Sequence, residues 1–223
     1  MASGIAASLK RQGREHIKVI AFGGDGSSFD IGLQTISGAF ERGDNITYIC
    51  YDNEAYMNTG IQRSGATPYG ASTTTSPAGK KSIGKTEWKK DLPHIIAAHG
   101  AKYVATASIG YPLDFYKKVK KAIDTEGPTY IHVFAPCPTG WRMDSAKTVE
   151  VAKLAVETGV FPLYEIVDGK HVLNRPKEIR KDIRDYLKMQ GRFKHLKEED
   201  IKYIEENVKK NFEKLKRYVE AGL

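Results

Sequence analysis

Short apolar runs alternate with amphipathic stretches through most of the chain. Ile17 to Phe22, Ile46 to Tyr51, Tyr103 to Ala107 and Pro128 to Ala135 are compact and rich in β-branched or aromatic residues, which predicts buried strands. Helical candidates lie between them. Ala2 to Gln12 is rich in small residues, Asp30 to Phe40 carries Ile31, Ile36 and Phe40, and Leu92 to His99 follows the same reading. Pro112 to Ile123 opens on a proline, whose fixed φ suits a first helical turn, and Lys147 to Thr158 stops at Gly159. This alternation predicts an α/β fold with a doubly wound, mostly parallel sheet.

After Pro162 the pattern changes. Leu163 to Leu173, centred on Asp168-Gly169, predicts a hairpin. Ile201, Ile204, Val208, Phe212, Leu215 and Val219 then recur at helical spacing in a Lys/Glu-rich background, giving an amphipathic helix with one buried stripe. That stripe packs on its own domain or on a partner subunit. The chain divides into a main domain, 1–162, and a C-terminal hairpin and helical extension, 163–223.

Asp52 to Lys90 has no sustained period and is rich in Gly, Thr, Ser and Pro. So long a stretch in a compact domain is either functional or disordered. It starts where a strand ends, so it is expected to hold a substrate and cofactor site. Gly24-Asp25-Gly26-Ser27 follows the preceding strand, and Asp52-Asn53-Glu54-Ala55-Tyr56-Met57-Asn58-Thr59-Gly60 follows the next. Open α/β sheets bind ligands at these carboxyl ends. An Asp on a glycine-flanked turn and an Asn side chain on a second turn suit a hard cation. Magnesium takes six oxygens and shares them between carboxylates and substrate phosphates, while glycines let the backbone approach a diphosphate. The plainer alternative has Asp25 capping the helix near Asp30 and Asn53 as a turn residue. Asn58 lies five residues beyond Asn53 and can donate to an oxyanion developing on a substrate, or it is a turn residue of Asn58-Thr59-Gly60.

Composition narrows the classes. The chain has 223 residues, 40% hydrophobic and 10% aromatic, within the ordinary range for a globular protein. No apolar run approaches membrane-spanning length, and no signal peptide is read at the N-terminus, so a cytoplasmic protein without membrane attachment is expected. Cys50 and Cys137 are far apart and suggest no disulfide framework. Cys50, inside an apolar strand, reads as core. The net charge of +8 is spread over Lys80 to Lys90, Lys117 to Lys121 and the last helix, without a nucleic-acid-binding motif. A basic surface suits docking of an acidic electron carrier instead.

The spacing from the GDG turn to the Asn one strand later is similar to the thiamine diphosphate signature. The run from Tyr51 to Ser64, then Thr67-Pro68-Tyr69-Gly70-Ala71 and Ala135-Pro136-Cys137-Pro138-Thr139-Gly140-Trp141, resembles β subunits of the 2-oxoacid:ferredoxin oxidoreductase family, those acting on pyruvate in particular. The likeness covers about Gly23 to Leu163 and continues more loosely to the C-terminus. It implies a thiamine-diphosphate-binding fold with Gly24, Asp25, Gly26, Ser27, Asn53, Glu54, Ala55, Tyr56, Met57 and Asn58 at the cofactor. Asp25, Asn53 and the Ala55 carbonyl would hold magnesium, and Asn58 would contact the substrate. Cys137 would be the last ligand of a [4Fe–4S] cluster. Such a cluster needs about four thiolates and this chain has no CxxC, so the iron–sulfur segment is read as missing: lost, or supplied by a separate polypeptide.

The resemblance further implies a hetero-oligomer with α-type pyrimidine-binding, CoA-type and ferredoxin-type subunits, in which pyruvate and coenzyme A become acetyl-CoA and CO2 while ferredoxin is reduced. No glutamate is well placed to activate thiamine, which fits a subunit holding only the diphosphate half of the site. Three alternatives stay open: a branched-chain 2-oxoacid enzyme, a truncated non-catalytic assembly module, and a non-oxidative thiamine decarboxylase, the last disfavoured by the Ala-Pro-Cys motif.

Overall fold

The computed structural model describes residues 1–223. In chain order the elements are α1 (Ala2–Arg11), β1 (Val19–Gly24), α2 (Leu33–Glu41), β2 (Ile46–Asp52), β3 (Ala78–Gly79), β4 (Ser82–Ile83), α3 (Leu92–Ala97) and β5 (Tyr103–Ser108). There follow α4 (Pro112–Asp124), β6 (Thr129–Phe134), α5 (Pro138–Trp141), α6 (Thr148–Glu157), β7 (Leu163–Val167), β8 (Lys170–Arg175), α7 (Ile183–Leu187) and α8 (Glu198–Glu220). Six strands form one sheet in the order β1-β2-β6-β5-β7-β8. The first four are parallel, and β7 and β8 are added antiparallel. The expected α/β architecture is the one observed.

Every residue of β5 and β6 is buried, as expected of central parallel strands covered on both faces, and their sequences are accordingly mostly apolar, with Thr106, Ser108, Thr129 and His132 the polar exceptions. One face packs Phe29, Ile36, Phe40, Leu92 and Ile96 against Phe212 and Leu215 of α8. Thus α8 buries its stripe on its own sheet. The other face lies under α4, where Ala122 meets Tyr103, Ala105 and Ile131. A third cluster, including Phe134, Trp141, Val151 and Tyr186, gathers α5, α6 and α7 beyond the strand ends.

Several expectations need correcting. The helix expected from Asp30 is broken: Ser27–Ile31 forms one wide π turn and α2 begins after Gly32. A Cβ on Gly32 would stand 2.6 Å from the Ser27 carbonyl oxygen, so only glycine fits the junction. The 52–90 stretch is not structureless. It holds the β3–β4 hairpin and buries Ser64, Ala66, Thr67, Ala71, Thr73 and Lys85. Its ties are non-local, as when Gly70 N–H donates to the Lys85 carbonyl at 2.8 Å and Ser72 N–H to that of Arg192 at 3.0 Å. The β7–β8 turn is as expected, with Asp168 and Gly169 both at positive φ (48° and 82°). The hairpin after Pro162 is continuous with the main sheet through β5.

The basic surface is thinner than the sequence suggested. Lys85 is 2% exposed and donates to the Thr67 carbonyl at 2.6 Å. Lys118 is 3% exposed, donating to the Thr106 carbonyl at 2.9 Å and to Asp114 at 2.8 Å. Both point inward because buried oxygen atoms need donors.

Candidate active site

Gly24-Asp25-Gly26-Ser27 leaves β1, the Asp52–Gly60 motif leaves β2, and the segment around Cys137 leaves β6. These are neighbouring parallel strands, so the three motifs meet at one end of the sheet. The register sets Gly24 beside Tyr51 and Asp52 beside Phe134, and Ala135 N–H donates to the Asp52 carbonyl at 2.9 Å.

Asp25 opens the turn instead of capping a distant helix. It is 1% exposed, and its Oδ2 accepts from Ser64 Oγ at 2.5 Å. Its Oδ1 faces the Asn53 side-chain oxygen at 2.9 Å, and the same Asn53 oxygen lies 2.8 Å from the Ala55 carbonyl oxygen. Three acceptors therefore converge with no donor among them. The Asp25 carboxylate, the Asn53 amide and the Ala55 carbonyl thus lie side by side, a ligand set of the kind magnesium takes. Turning the Asn53 amide over would convert the same contacts into two N–H···O hydrogen bonds. The turned amide satisfies all three groups without a metal, and its oxygen-inward rotamer is the one that would face a cation. Burial, and then the charge of Asp52, push the Asp25 carboxyl up to about 7, against the Ser64 hydrogen bond.

The remaining motif residues build the wall. Ser27 and Ser28 hydroxyls donate to the Gly24 carbonyl at 2.9 and 2.7 Å. Tyr56 crosses from the second turn to the first and donates to the Gly26 carbonyl at 2.9 Å. Its ring lies where a Cβ on Gly26 would come within 2.3 Å, so the GDG turn needs its second glycine for this close approach. Met57 packs against Gly140 of the third motif. Asn58 is exposed in the turn closed by Gly60 N–H to the Met57 carbonyl at 3.3 Å.

Glu54 turns its side chain away from Asp25 and Asn53, toward Lys89 and Arg192. It is 2% exposed at φ 67°, with Oε1 accepting from Lys89 at 2.9 Å and Oε2 from Arg192 at 2.5 Å. Both oxygens are engaged by cations, so Glu54 is not free to act as a proton-transfer group. Asp52, fully buried, binds the Glu54 N–H, Lys89 and His132. Burial opposes its charge, yet Lys89 and His132 hold its carboxyl at about 2. Burial likewise opposes the Lys89 charge, but Asp52 and Glu54 outweigh it and keep the ammonium protonated. Sequence reasoning missed Lys89, His132 and Arg192. Its available signal was the pair of carboxylates flanking Asn53 at the end of an apolar strand, which cannot be buried without cations.

Cys137 is half-buried at the start of α5. Cys50 is buried in β2, where desolvation pushes its thiol up to about 12, as expected of a core residue. The chain's own donors do not make a [4Fe–4S] site, since one nearby thiol falls short of about four.

The family of thiamine pyrophosphate enzymes, C-terminal TPP binding domain, matches residues 1–133. Pyruvate synthase subunit PorB of Methanothermobacter thermautotrophicus is 61% identical over 209 residues, covering 93% of this chain and 72% of that protein. Ketoisovalerate oxidoreductase subunit VorB of Pyrococcus abyssi is 50% identical over 226 residues, covering 98% of this chain and 73% of that protein. The solved 2-oxoglutarate:ferredoxin oxidoreductase from Magnetococcus marinus is similar at 29% identity with a TM-score of 0.57, over 69% of this chain and 50% of that one.

Proposed function

The chain belongs to the family of pyruvate synthase PorB subunits and carries a thiamine pyrophosphate-binding domain, and from this we propose that it holds thiamine diphosphate and Mg2+ for a pyruvate:ferredoxin oxidoreductase. That enzyme turns pyruvate, coenzyme A and oxidised ferredoxin into acetyl-CoA, CO2 and reduced ferredoxin. The observation that carries the reading is the meeting of the Asp25 carboxylate, the Asn53 amide and the Ala55 carbonyl at the ends of β1 and β2. Greater identity to the pyruvate relative than to the ketoisovalerate one favours pyruvate.

Bound thiamine diphosphate supplies the carbanion-stabilising chemistry of 2-oxoacid decarboxylation. The chain's residues do the rest of the work on their side of the site. Asp25, Asn53 and the Ala55 carbonyl hold Mg2+, the Gly24–Ser27 turn lets the diphosphate approach, and Asn58 donates to oxygen charge developing on the substrate. Both Glu54 oxygens are engaged, which fits an activating carboxylate supplied by a pyrimidine-binding partner subunit. Cys137 ligates a cluster only if other thiols complete it. The two free cysteines support a reducing, cytoplasmic setting.

The test combines the chain with partner subunits and follows viologen reduction. Reduction that depends on pyruvate, Mg2+ and thiamine diphosphate together is expected. A rate indifferent to added thiamine diphosphate, or one faster with 2-oxoisovalerate, would overturn the reading. In the same assay Asn58→Ala is expected to slow turnover by roughly 10²-fold while leaving cofactor affinity nearly unchanged, the scale of losing one oxyanion donor. Undiminished turnover would reduce Asn58 to a turn residue.

A further inference from the structure

Glu54 is the least comfortable residue of the cofactor turn. It is a non-glycine residue in the left-handed region, with a buried carboxylate, and an apolar side chain of similar volume is often no worse for stability than a buried ion pair. Its conformation nevertheless has a geometric result. Asn53 and Ala55 flank it, and across the left-handed kink the Asn53 side chain lies 2.8 Å from the Ala55 carbonyl oxygen while standing 2.9 Å from Asp25 Oδ1.

Four contacts hold the kink. The Glu54 N–H donates to Asp52 Oδ1 at 2.9 Å, and its carbonyl accepts from Thr67 Oγ1 at 2.6 Å. Lys89 and Arg192 take the two carboxylate oxygens. Arg192 comes from the far end of the chain and is itself fixed. It is 2% exposed, donates Nε to Gln190 at 2.9 Å, and lies 3.7 Å from the centre of the Trp141 ring. Trp141 in turn donates Nε1 to the Asn53 carbonyl at 2.8 Å. One stacked pair, from two distant segments, thus grips the Asn53 carbonyl and the carboxylate of the next residue.

We propose that Arg192, through Glu54 and Trp141, is a positioning residue that holds the Asn53–Glu54–Ala55 turn in its metal-ready conformation. It touches neither metal nor cofactor. The proposal rests on the magnesium–diphosphate reading of the site. Its effect falls on Mg2+ affinity, because the kink sets the spacing of two of the three oxygens.

The experiment titrates Mg2+ into the full chain at saturating thiamine diphosphate, read by calorimetry and by tryptophan fluorescence. Urea unfolding of the metal-free proteins runs in parallel. Arg192→Met is expected to weaken Mg2+ binding by about 10–100-fold, the range for losing a partner that orients a ligand. Arg192→Lys keeps a charge for Glu54 but not the planar fork or the stack, so it is expected to fold stably and bind Mg2+ between the two. Glu54→Gln combined with Arg192→Met is expected to weaken binding no more than the stronger single variant, since the two act as one unit. If Arg192→Lys and Arg192→Met shift the urea midpoint but bind Mg2+ like the parent, the role is structural and the proposal falls. If the parent itself shows no Mg2+-dependent binding, the underlying reading falls first and the proposal with it.

Discussion

Asp25→Ala is expected to abolish magnesium-dependent binding of thiamine diphosphate. Asp25 is the one carboxylate among the three converging oxygens, and a divalent cation held by two neutral oxygens keeps little of its binding energy. Losing an orienting partner of a metal ligand costs about 10–100-fold in affinity, and losing the charged ligand itself should exceed that range. The pH dependence follows from the same carboxyl. Its pKa is raised from the ordinary 3.8 to about 7 by burial and by Asp52, so a proton competes with the metal, and affinity should fall about tenfold per unit as pH drops below 7. For the metal-free fold the sign is opposite. A raised pKa contributes stability that is full below the unfolded value and is lost as pH rises through the folded one, and Mg2+ restores it. Calorimetry from pH 5.5 to 8 checks both. Affinity that stays flat with pH, or survives in Asp25→Ala, would remove Asp25 from the metal shell.

The second large effect is on stability. Lys89→Met should destabilise the chain by about 3–5 kcal/mol, the cost of leaving buried charge without its partner. Lys89 neutralises both Asp52 and Glu54 from a position 22% exposed, and the two carboxylates that remain are almost wholly buried. His132 and Arg192 keep one contact each but do not replace the shared ammonium. The loss should shrink in acid, where Asp52 accepts a proton that Lys89 otherwise denies it. Denaturant midpoints at pH 7 and pH 4 would show this. A loss below about 1 kcal/mol would mean that the network is hydrated and weak.

What could be read from the sequence was what is local. Strand positions followed from short apolar runs, and the β7–β8 turn from Asp168-Gly169, because hydrogen-bonding neighbours in these elements are close in sequence or obey a fixed period. That Asp25 and Asn53 would meet was legible because both motifs end adjacent strands. The wide turn at Ser27–Ile31 was not, since its shape depends on Gly32 meeting the Ser27 carbonyl. Helices α5 and α7 were too short to show a period. The 52–90 loop looked formless because side chains bonding to distant backbone leave no periodic trace. Lys85 and Lys89 read as surface charge because nothing nearby in sequence shows that they turn inward.

The distance along the chain between Glu54 and Arg192 also sets an order of events during synthesis. They are separated by 138 residues, which at 5–20 residues per second amounts to roughly 7–28 s of translation. Throughout that interval the nascent chain has made its cofactor turn without the arginine that completes it. A ribosome-bound chain stalled before residue 192 should therefore bind Mg2+ at least as weakly as Arg192→Met, about 10–100-fold below the finished chain.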